Sequence, residues 1–210
     1  MTILRMTPEA EASGLTAEIY DEDRRSLGYV PSHTKAVGLN PEAYLAWESL
    51  TKAISSSLGI RRYELVTLAA AQAIGSSHCR LAHGKKTLSI ISEEQLCAIA
   101  RDFHDAGLPE AEVAMMDYAV RLSTDAASMT ERDAQRLRDS GFSDREIADI
   151  TLAAAARNFF SRALLAMGVD LDVPEGISDE LQDALLAPLV RVQGPAPGGD
   201  SGDFGDSASD

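Results

Sequence analysis

The sequence predicts an all-α protein, and its composition and local patterns support this prediction. Apolar residues make up 45% of the 210 residues, whereas aromatic residues make up only 5%. The apolar stretches are rich in alanine, which favours helices. No stretch alternates apolar and polar residues for long enough to indicate a strand. A chain of this length can bury a substantial core as one domain or two small ones.

Helix-start signals place the predicted helices along the chain. A Thr or Asn cap followed by proline marks starts at Thr7 and Asn40, and a Ser or Thr followed by charged residues marks starts at Ser92, Thr130 and Ser143. Glycines mark several of the breaks. The predicted helices cover about residues 7–27, 41–58, 61–74, 76–90, 92–104 and 109–122, with a short segment to about 39 and further helices from about 130 and 143.

Charge and cysteine content argue against several functions. The chain has 33 acidic and 19 basic residues, a formal net charge of −14, whereas nucleic-acid binding requires clustered Lys and Arg. Residues 1–9 contain no apolar signal core, and no span has the length of a membrane helix. Two cysteines in a chain this long do not form a disulfide framework. We therefore expect a cytoplasmic protein without nucleic-acid or membrane partners.

The chain contains an internal similarity at an offset of 82 residues. Segment 59–65 aligns with segment 141–147, and the match continues along two alanine-rich stretches. The matched pairs are Glu64 and Glu146, Cys79 and Ser161, and His83 and Leu165. A duplication would give two related helical halves, about 8–105 and 109–185, with the chemistry in the first. Chance similarity between two capped, alanine-rich helices is the alternative.

The C-terminal residues differ in composition from the rest of the chain. Gly, Pro, Ser and Asp dominate residues 194–210, and their only aromatic residue is Phe204. Such a segment cannot bury enough apolar surface to offset its ordering entropy. We expect one folded domain over residues 1–193 and a disordered acidic tail over 194–210.

The residues best suited to catalysis surround a lone thiol. If Ser76 caps a helix, Cys79 is its third residue, where unpaired N–H groups and the helix dipole stabilise a thiolate. His83 lies four residues further, on the same helix face, and His78 is the neighbour of the thiol. Each of these residues also has a structural interpretation, since a lone cysteine in an apolar helix is often a small core residue.

A carboxylate upstream could join this group only through a chain reversal. On a straight helix, Glu64 would lie about 22 Å from Cys79. It reaches the thiol only if the chain folds back at Gly75, and glycine is suited to such a turn. Alternatively, Glu64 only complements the dipole of its own helix.

Two other roles of these side chains were weighed. His78, Cys79 and His83 are three potential zinc ligands, but no second ligand pair accompanies them, so we expect no metal and no cofactor. Cys97 lies near the start of the next helix. It is either a structural residue or a resolving thiol brought close by the fold.

The spacing of Glu64, Ser76, Cys79 and His83 resembles the signature of the alkylhydroperoxidase D (AhpD) and carboxymuconolactone decarboxylase superfamily. Flanking segments are similar to those of its peroxidase-related branch, and the resemblance covers about residues 15–173. The flanking segments are 28–31, 40–42, 141–143 and 158–159, with Arg162 and 168–169. The resemblance implies an AhpD-like helical fold with two related halves that assembles into homo-oligomers.

The resemblance also implies a redox cycle, which this sequence cannot complete unchanged. In the alkylhydroperoxidases, the thiol at the Cys79 position attacks a peroxide and becomes a sulfenic acid. A cysteine at the Ser76 position then closes a disulfide, which a dihydrolipoyl protein or similar thiol carrier reduces. The residues at Glu64, His78 and His83 form the proton relay. Ser76 cannot form a disulfide, so that step requires another thiol.

Three interpretations follow from the resemblance and this departure. The first is a peroxidase-like, antioxidant oxidoreductase that takes a hydroperoxide or another small molecule, with Cys79 as its redox thiol and an external thiol reductant or Cys97 as the resolving thiol. The second is a decarboxylase-like acid–base enzyme in which Glu64 and His83 move protons. The third is a non-catalytic helical oligomer.

Overall fold

The computed structural model describes residues 2–187, and the regular structure in this part of the chain consists of helices, without a strand. The all-α prediction is therefore confirmed. The helices are α1 (Gly14–Leu27), α2 (Ser32–Val37), α3 (Pro41–Leu58), α4 (Ile60–Ile74), α5 (Ser77–Thr87), α6 (Glu93–Arg101), α7 (Glu110–Asp125), α8 (Glu131–Asp139), α9 (Asp144–Ala166) and α10 (Asp179–Leu186). The tail over 194–210 lies outside the described residues. None of the helices in residues 2–187 is long and apolar enough to cross a membrane.

Several helix boundaries differ from their predicted positions. The start predicted at Thr7 produces only a 3₁₀ turn, Glu9–Glu11, because Ala12 and Ser13 are extended before α1 begins. The helix predicted to reach about residue 104 ends at Arg101, since the Asp102 carboxylate accepts the His104 N–H and caps a separate turn. The sequence analysis did not predict α10. Helix boundaries depend on such local bonds, which periodicity does not reveal.

Helices α4, α7 and α9 form the centre of the molecule. Helix α4 packs against α7, α9 and α5, and α9 also packs against α3 and α7. Ala69, Ala70 and Ala71 of α4 are fully buried, because small side chains let neighbouring helices approach closely. Leu65 and Val66 are also fully buried, and each such side chain contributes roughly 1.5–3 kcal/mol through burial. This packing therefore fixes the position of α4, and of any functional side chain that it carries.

The chain reverses direction at Gly75, between α4 and α5. Gly75 has a φ of 76°, in the left-handed region. Its N–H and that of Ser76 bond to the carbonyls of Gln72 and Ala71, at 3.0 and 2.9 Å, which closes the end of α4. Helix α5 then packs back against α4. The reversal required by the sequence analysis is present.

The internal similarity holds for the first helix of each half and then ends. Gly59 and Gly141, the matched glycines that precede α4 and α9, both have a positive φ, of 84° and 92°. The counterpart of Gly75 at the same offset is Arg157, which lies within the continuous helix α9. The two segments therefore differ in structure beyond this point. The first copy turns where the second remains straight, because only the first has a glycine there.

Candidate active site

A cavity of about 890 Å³ lies where α3, α4, α5 and α9 meet. Its buried floor is formed by Glu64, Cys79, His83 and Arg157. One wall is aromatic and is formed by Tyr44, Trp47 and Phe160, and Trp47 and Phe160 stack with their ring centroids 4.1 Å apart. The exposed residues that line its mouth include Leu27, Glu48, Lys52, Lys85 and Lys86. This volume is in the range of small-molecule sites.

Glu64 and His83 form a buried hydrogen-bonded pair on the cavity floor. The Nδ1 atom of His83 lies 2.6 Å from Oε2 of Glu64, and the two residues are 6% and 3% exposed. Burial raises the pKa of Glu64 to about 7, although Lys86 and Arg157 partly oppose this. Burial, with the charges of Arg157 and Lys86, holds the pKa of His83 well below its usual value. Near neutral pH the imidazole is therefore uncharged, while the carboxyl group can gain or lose a proton.

Cys79 lies on the same floor, as the third residue of α5. It is a free cysteine and only 2% exposed. Its Sγ accepts hydrogen bonds from the Oγ of Ser161, at 3.2 Å, and from Nη1 of Arg157, at 3.4 Å. Two donors from α9 therefore converge on a sulfur at a helix N-terminus, an arrangement that stabilises negative charge on that atom.

Ser76 precedes α5 as predicted, but its side chain does not cap the helix. Its Oγ is buried and has no hydrogen-bond partner in residues 2–187. A buried hydroxyl without a partner costs about 1–3 kcal/mol. A thiol would be less costly at this position, because a free cysteine behaves as a small apolar side chain.

The other two predicted site residues lie apart from the Glu64–His83 pair. His78 lines the cavity, but its Nε2 bonds to the backbone carbonyl of Asp170 at 3.0 Å. Cys97 is buried in the main core on α6 and does not line the cavity. Within residues 2–187 no three Cys, His, Asp or Glu side chains are grouped to hold a metal ion.

Two cavity residues were not identified from the sequence. Arg157 is 2% exposed, and its guanidinium carbon lies 5.6 and 5.8 Å from the ring centroids of Trp47 and Phe160. The signal that could have identified it is a cation within an alanine-rich helix. His33 on α2 packs edge-on against Phe160, and burial lowers its pKa to about 4. No local pattern marked His33.

Solved structures with the same fold include two peroxidase-related proteins. The AhpD core of an uncharacterised peroxidase-related protein from Ralstonia eutropha JMP134 is 22% identical, with a TM-score of 0.72 over 90% of this chain and 98% of that chain. An uncharacterised peroxidase-related protein from Silicibacter sp. TM1040 is 24% identical, with a TM-score of 0.70 over 81% and 92%. A variant of the debrominase Bmp8 in complex with 2,3,4-tribromopyrrole is 17% identical, with a TM-score of 0.68 over 88% and 98%.

These similarities show that the chain has the AhpD-like helical fold. They confirm, at the level of the fold, the resemblance to the AhpD and carboxymuconolactone decarboxylase superfamily that the sequence predicts. No family sequence model matches the chain, and no curated protein matches it in sequence. The function must therefore be argued from the site itself.

Proposed function

We propose that the protein is a peroxidase-related oxidoreductase in which Cys79 is the redox thiol and Glu64 and His83 form the proton relay. The observation that carries this proposal is the 2.6 Å hydrogen bond between Glu64 and His83 on the same cavity floor as Cys79. A nucleophile, a base and a group that orients the base are the components of an activated thiol. The Arg157 guanidinium, at 3.4 Å from Sγ, would stabilise the thiolate.

The proposed reaction transfers one oxygen atom from a hydroperoxide to the thiol. The Cys79 thiolate attacks the terminal peroxide oxygen, an S–O bond forms and the O–O bond breaks. The proton removed from the thiol passes through His83 to the departing alkoxide, so the products are a sulfenic acid and an alcohol. The sulfur is oxidised by two electrons and the peroxide is reduced by two. Deprotonated Glu64 favours the imidazole tautomer that leaves Nε2 free to accept the proton.

His78 is less suited to the relay than its position in the sequence indicated. Its Nε2 bonds to the carbonyl of Asp170, which supports a role in joining α5 to the segment after α9. We therefore restrict the proposed relay to Glu64 and His83. The homo-oligomer and the cytoplasmic location stay predictions.

The aromatic wall supports a substrate with a planar or bulky apolar group. Tyr44, Trp47 and Phe160 present stacked rings to the cavity, and aromatic surfaces favour offset stacking with other rings. The debrominase with the same fold binds a brominated pyrrole. We therefore propose that brominated pyrroles be tested as substrates beside alkyl and aryl hydroperoxides.

Trapping of the sulfenic acid tests the proposal. The protein is treated with one equivalent of hydroperoxide and with dimedone, and the labelled cysteine is identified by mass spectrometry. We expect a label on Cys79 in the wild type and in Cys97→Ser, and no label in Cys79→Ser. A Cys79 thiol that reacts with peroxide no faster than free cysteine would contradict the proposal.

An acid–base enzyme is the second candidate, and the pKa of Glu64 near 7 favours it. A carboxyl group with this pKa is suited to proton transfer at neutral pH. On this hypothesis Cys79→Ser would retain turnover of a lactone acid, and His83→Gln would lose it. Loss of turnover in Cys79→Ser would argue against this candidate.

A further inference from the structure

We propose that oxidised Cys79 is returned to the thiol by a low-molecular-weight thiol that enters the cavity, and not by a cysteine of this chain or of a partner protein. This inference rests on the proposed oxidation of Cys79. It follows from the position of the second cysteine, Cys97, from the serine at position 76 and from the burial of the Cys79 sulfur.

The chain provides no second thiol at the site. It contains two cysteines in all, and the position that would hold a resolving cysteine is Ser76. Cys97 is buried in the main core with the side chains of α4, α6, α7 and α9. Cys79 belongs to a separate cluster with Ala71, Phe160 and Leu164. A bond between the two cysteines would require one of them to leave its packed surroundings, because the two side chains are buried in different clusters and a disulfide brings the sulfurs into direct contact.

A folded partner protein cannot bring a cysteine to this sulfur. Cys79 is 2% exposed, and Ser161 and Arg157 contact its Sγ from α9. The attacking sulfur must reach bonding distance, about 2 Å, and its own Cα would then lie within about 7 Å of the Cα of Cys79. The burial of this sulfur therefore opposes the approach of the main chain of another protein.

A small thiol meets neither obstacle. The cavity of about 890 Å³ runs from the buried floor to exposed residues at its mouth, such as Lys52 and Lys86. Sites of this size accept small organic molecules. The same opening would admit a hydroperoxide first and the reductant afterwards.

The reduction takes two steps, each balanced. The first thiol attacks the sulfur of the sulfenic acid, an S–S bond forms, and hydroxide leaves and is protonated to water. A second thiol then attacks the sulfur that the first thiol contributed, which releases the Cys79 thiolate and a small disulfide. In the first step His83 would take the proton of the incoming thiol and pass it to the departing hydroxide. The two small thiols supply the two electrons that the peroxide removed.

Reduction of the preformed sulfenic acid by thiols of increasing size tests the inference. The full chain is oxidised with one equivalent of hydrogen peroxide, and dimedone labelling of a sample confirms the sulfenic acid at Cys79. The remainder is mixed with 2-mercaptoethanol, cysteine, glutathione or reduced thioredoxin. Each rate is divided by the rate at which the same thiol reduces a small soluble disulfide, which removes differences in intrinsic reactivity.

We expect the normalised rate for thioredoxin to be lower than that for 2-mercaptoethanol by about tenfold or more. A mixed disulfide at Cys79 is expected by mass spectrometry in the wild type and equally in Cys97→Ser. In Ser76→Cys, an internal disulfide to Cys79 should replace the mixed disulfide.

Two results would overturn the inference while leaving the proposed function intact. One is a disulfide between Cys79 and Cys97 in the oxidised wild type. The other is a normalised rate for thioredoxin equal to that for 2-mercaptoethanol. Failure of Cys79 to form any sulfenic acid would overturn the proposed function, and this inference with it.

Discussion

The segment from α4 through Gly75 to α5 and the single helix α9 begin with similar sequences and end as different structures. In the first, Gly75 ends a helix and the chain returns along it. In the second, Arg157 stands at the matched position, α9 continues to Ala166 and the arginine reaches the sulfur of Cys79. Cys79 and its counterpart Ser161 are in direct contact at 3.2 Å.

The site is therefore assembled from two segments that are similar in sequence but different in structure. The first copy contributes the carboxyl group, the imidazole and the thiol, and the second contributes a hydroxyl and a guanidinium. The matched glutamates differ in the same way. Glu64 is buried against His83, whereas Glu146 closes a capping box with Ser143 and pairs with Arg62 at the start of α9. Similar sequence therefore does not imply similar chemistry.

The largest expected effect on the oxidation rate of Cys79 comes from substitution of Glu64, as compared with its matched residue Glu146. We expect Glu64→Gln to slow the oxidation of Cys79 by hydroperoxide about 100-fold, because the relay loses the carboxylate that orients His83 as the base. In the wild type this rate should rise as the pH passes about 7, since burial raises the pKa of Glu64 to that value and the carboxylate forms only above it. The variant should lack this rise. Stopped-flow measurement of the rate between pH 5 and pH 9, a window of about two units on either side of that pKa, checks both.

Glu146→Gln is the matched control. It should leave the oxidation rate unchanged and lower the free energy of unfolding by about 0.5–1 kcal/mol, because it breaks the ion pair with Arg62 and removes a charge that complements the helix dipole, whereas Gln can still close the capping box. Stability also separates the two glutamates. The folded state binds the Glu64 proton more tightly than the unfolded chain does, so the associated stability is present below about pH 4.5 and is lost as the pH rises through about 7. Equal oxidation rates in the two variants would refute the assigned role of Glu64.

Arg157 should have a smaller effect on the same reaction. Arg157→Gln removes the cation beside the sulfur, and we expect oxidation of Cys79 at pH 7 to slow about tenfold. The variant should remain folded. The contacts with Trp47 and Phe160 are worth about 0.5–1 kcal/mol each, while removal of a buried cation recovers desolvation energy.

Arg62→Gln is the control for this substitution. It also removes a cation that lies over an aromatic ring, that of Phe142, at 4.9 Å, and it breaks an ion pair with Glu146. Arg62 does not line the cavity. A wild-type oxidation rate in Arg157→Gln, or an equal loss in Arg62→Gln, would show that the guanidinium does not act on the sulfur.

Gly75 should affect stability more than chemistry. Gly75→Ala is expected to lower the free energy of unfolding by about 1–2 kcal/mol, because an L-residue is strained at a φ of 76°. An added Cβ would meet no atom within 4 Å, so the strain is confined to the backbone. Gly75→Asn should cost less, since Asn tolerates this conformation. Urea denaturation of both variants measures the difference, and an alanine variant as stable as the wild type would contradict the prediction.

The helical fold class and three candidate site residues, Glu64, Cys79 and His83, could be predicted from the sequence, because the patterns that indicate them are local. Alanine-rich periodicity and capping residues act within a few positions, so they predicted most helix starts. The turn at Gly75 also depends on local backbone freedom, and once it is assumed, α5 returns along α4 and can approach Glu64. The helix start predicted at Thr7 was wrong, because the extended residues Ala12 and Ser13 separate this position from α1.

By itself, the sequence determined the helical fold class, and it indicated that Glu64 could join His83 and the thiol if the chain reversed at Gly75. Only the tertiary structure decided which residues from distant parts of the chain complete the site. Arg157 and Ser161 reach Cys79 across 78 and 82 positions of the chain, and Cys97 is withdrawn into another core although it is nearer in sequence. Packing between helices sets these contacts, and it depends on the whole set of buried surfaces rather than on any local pattern.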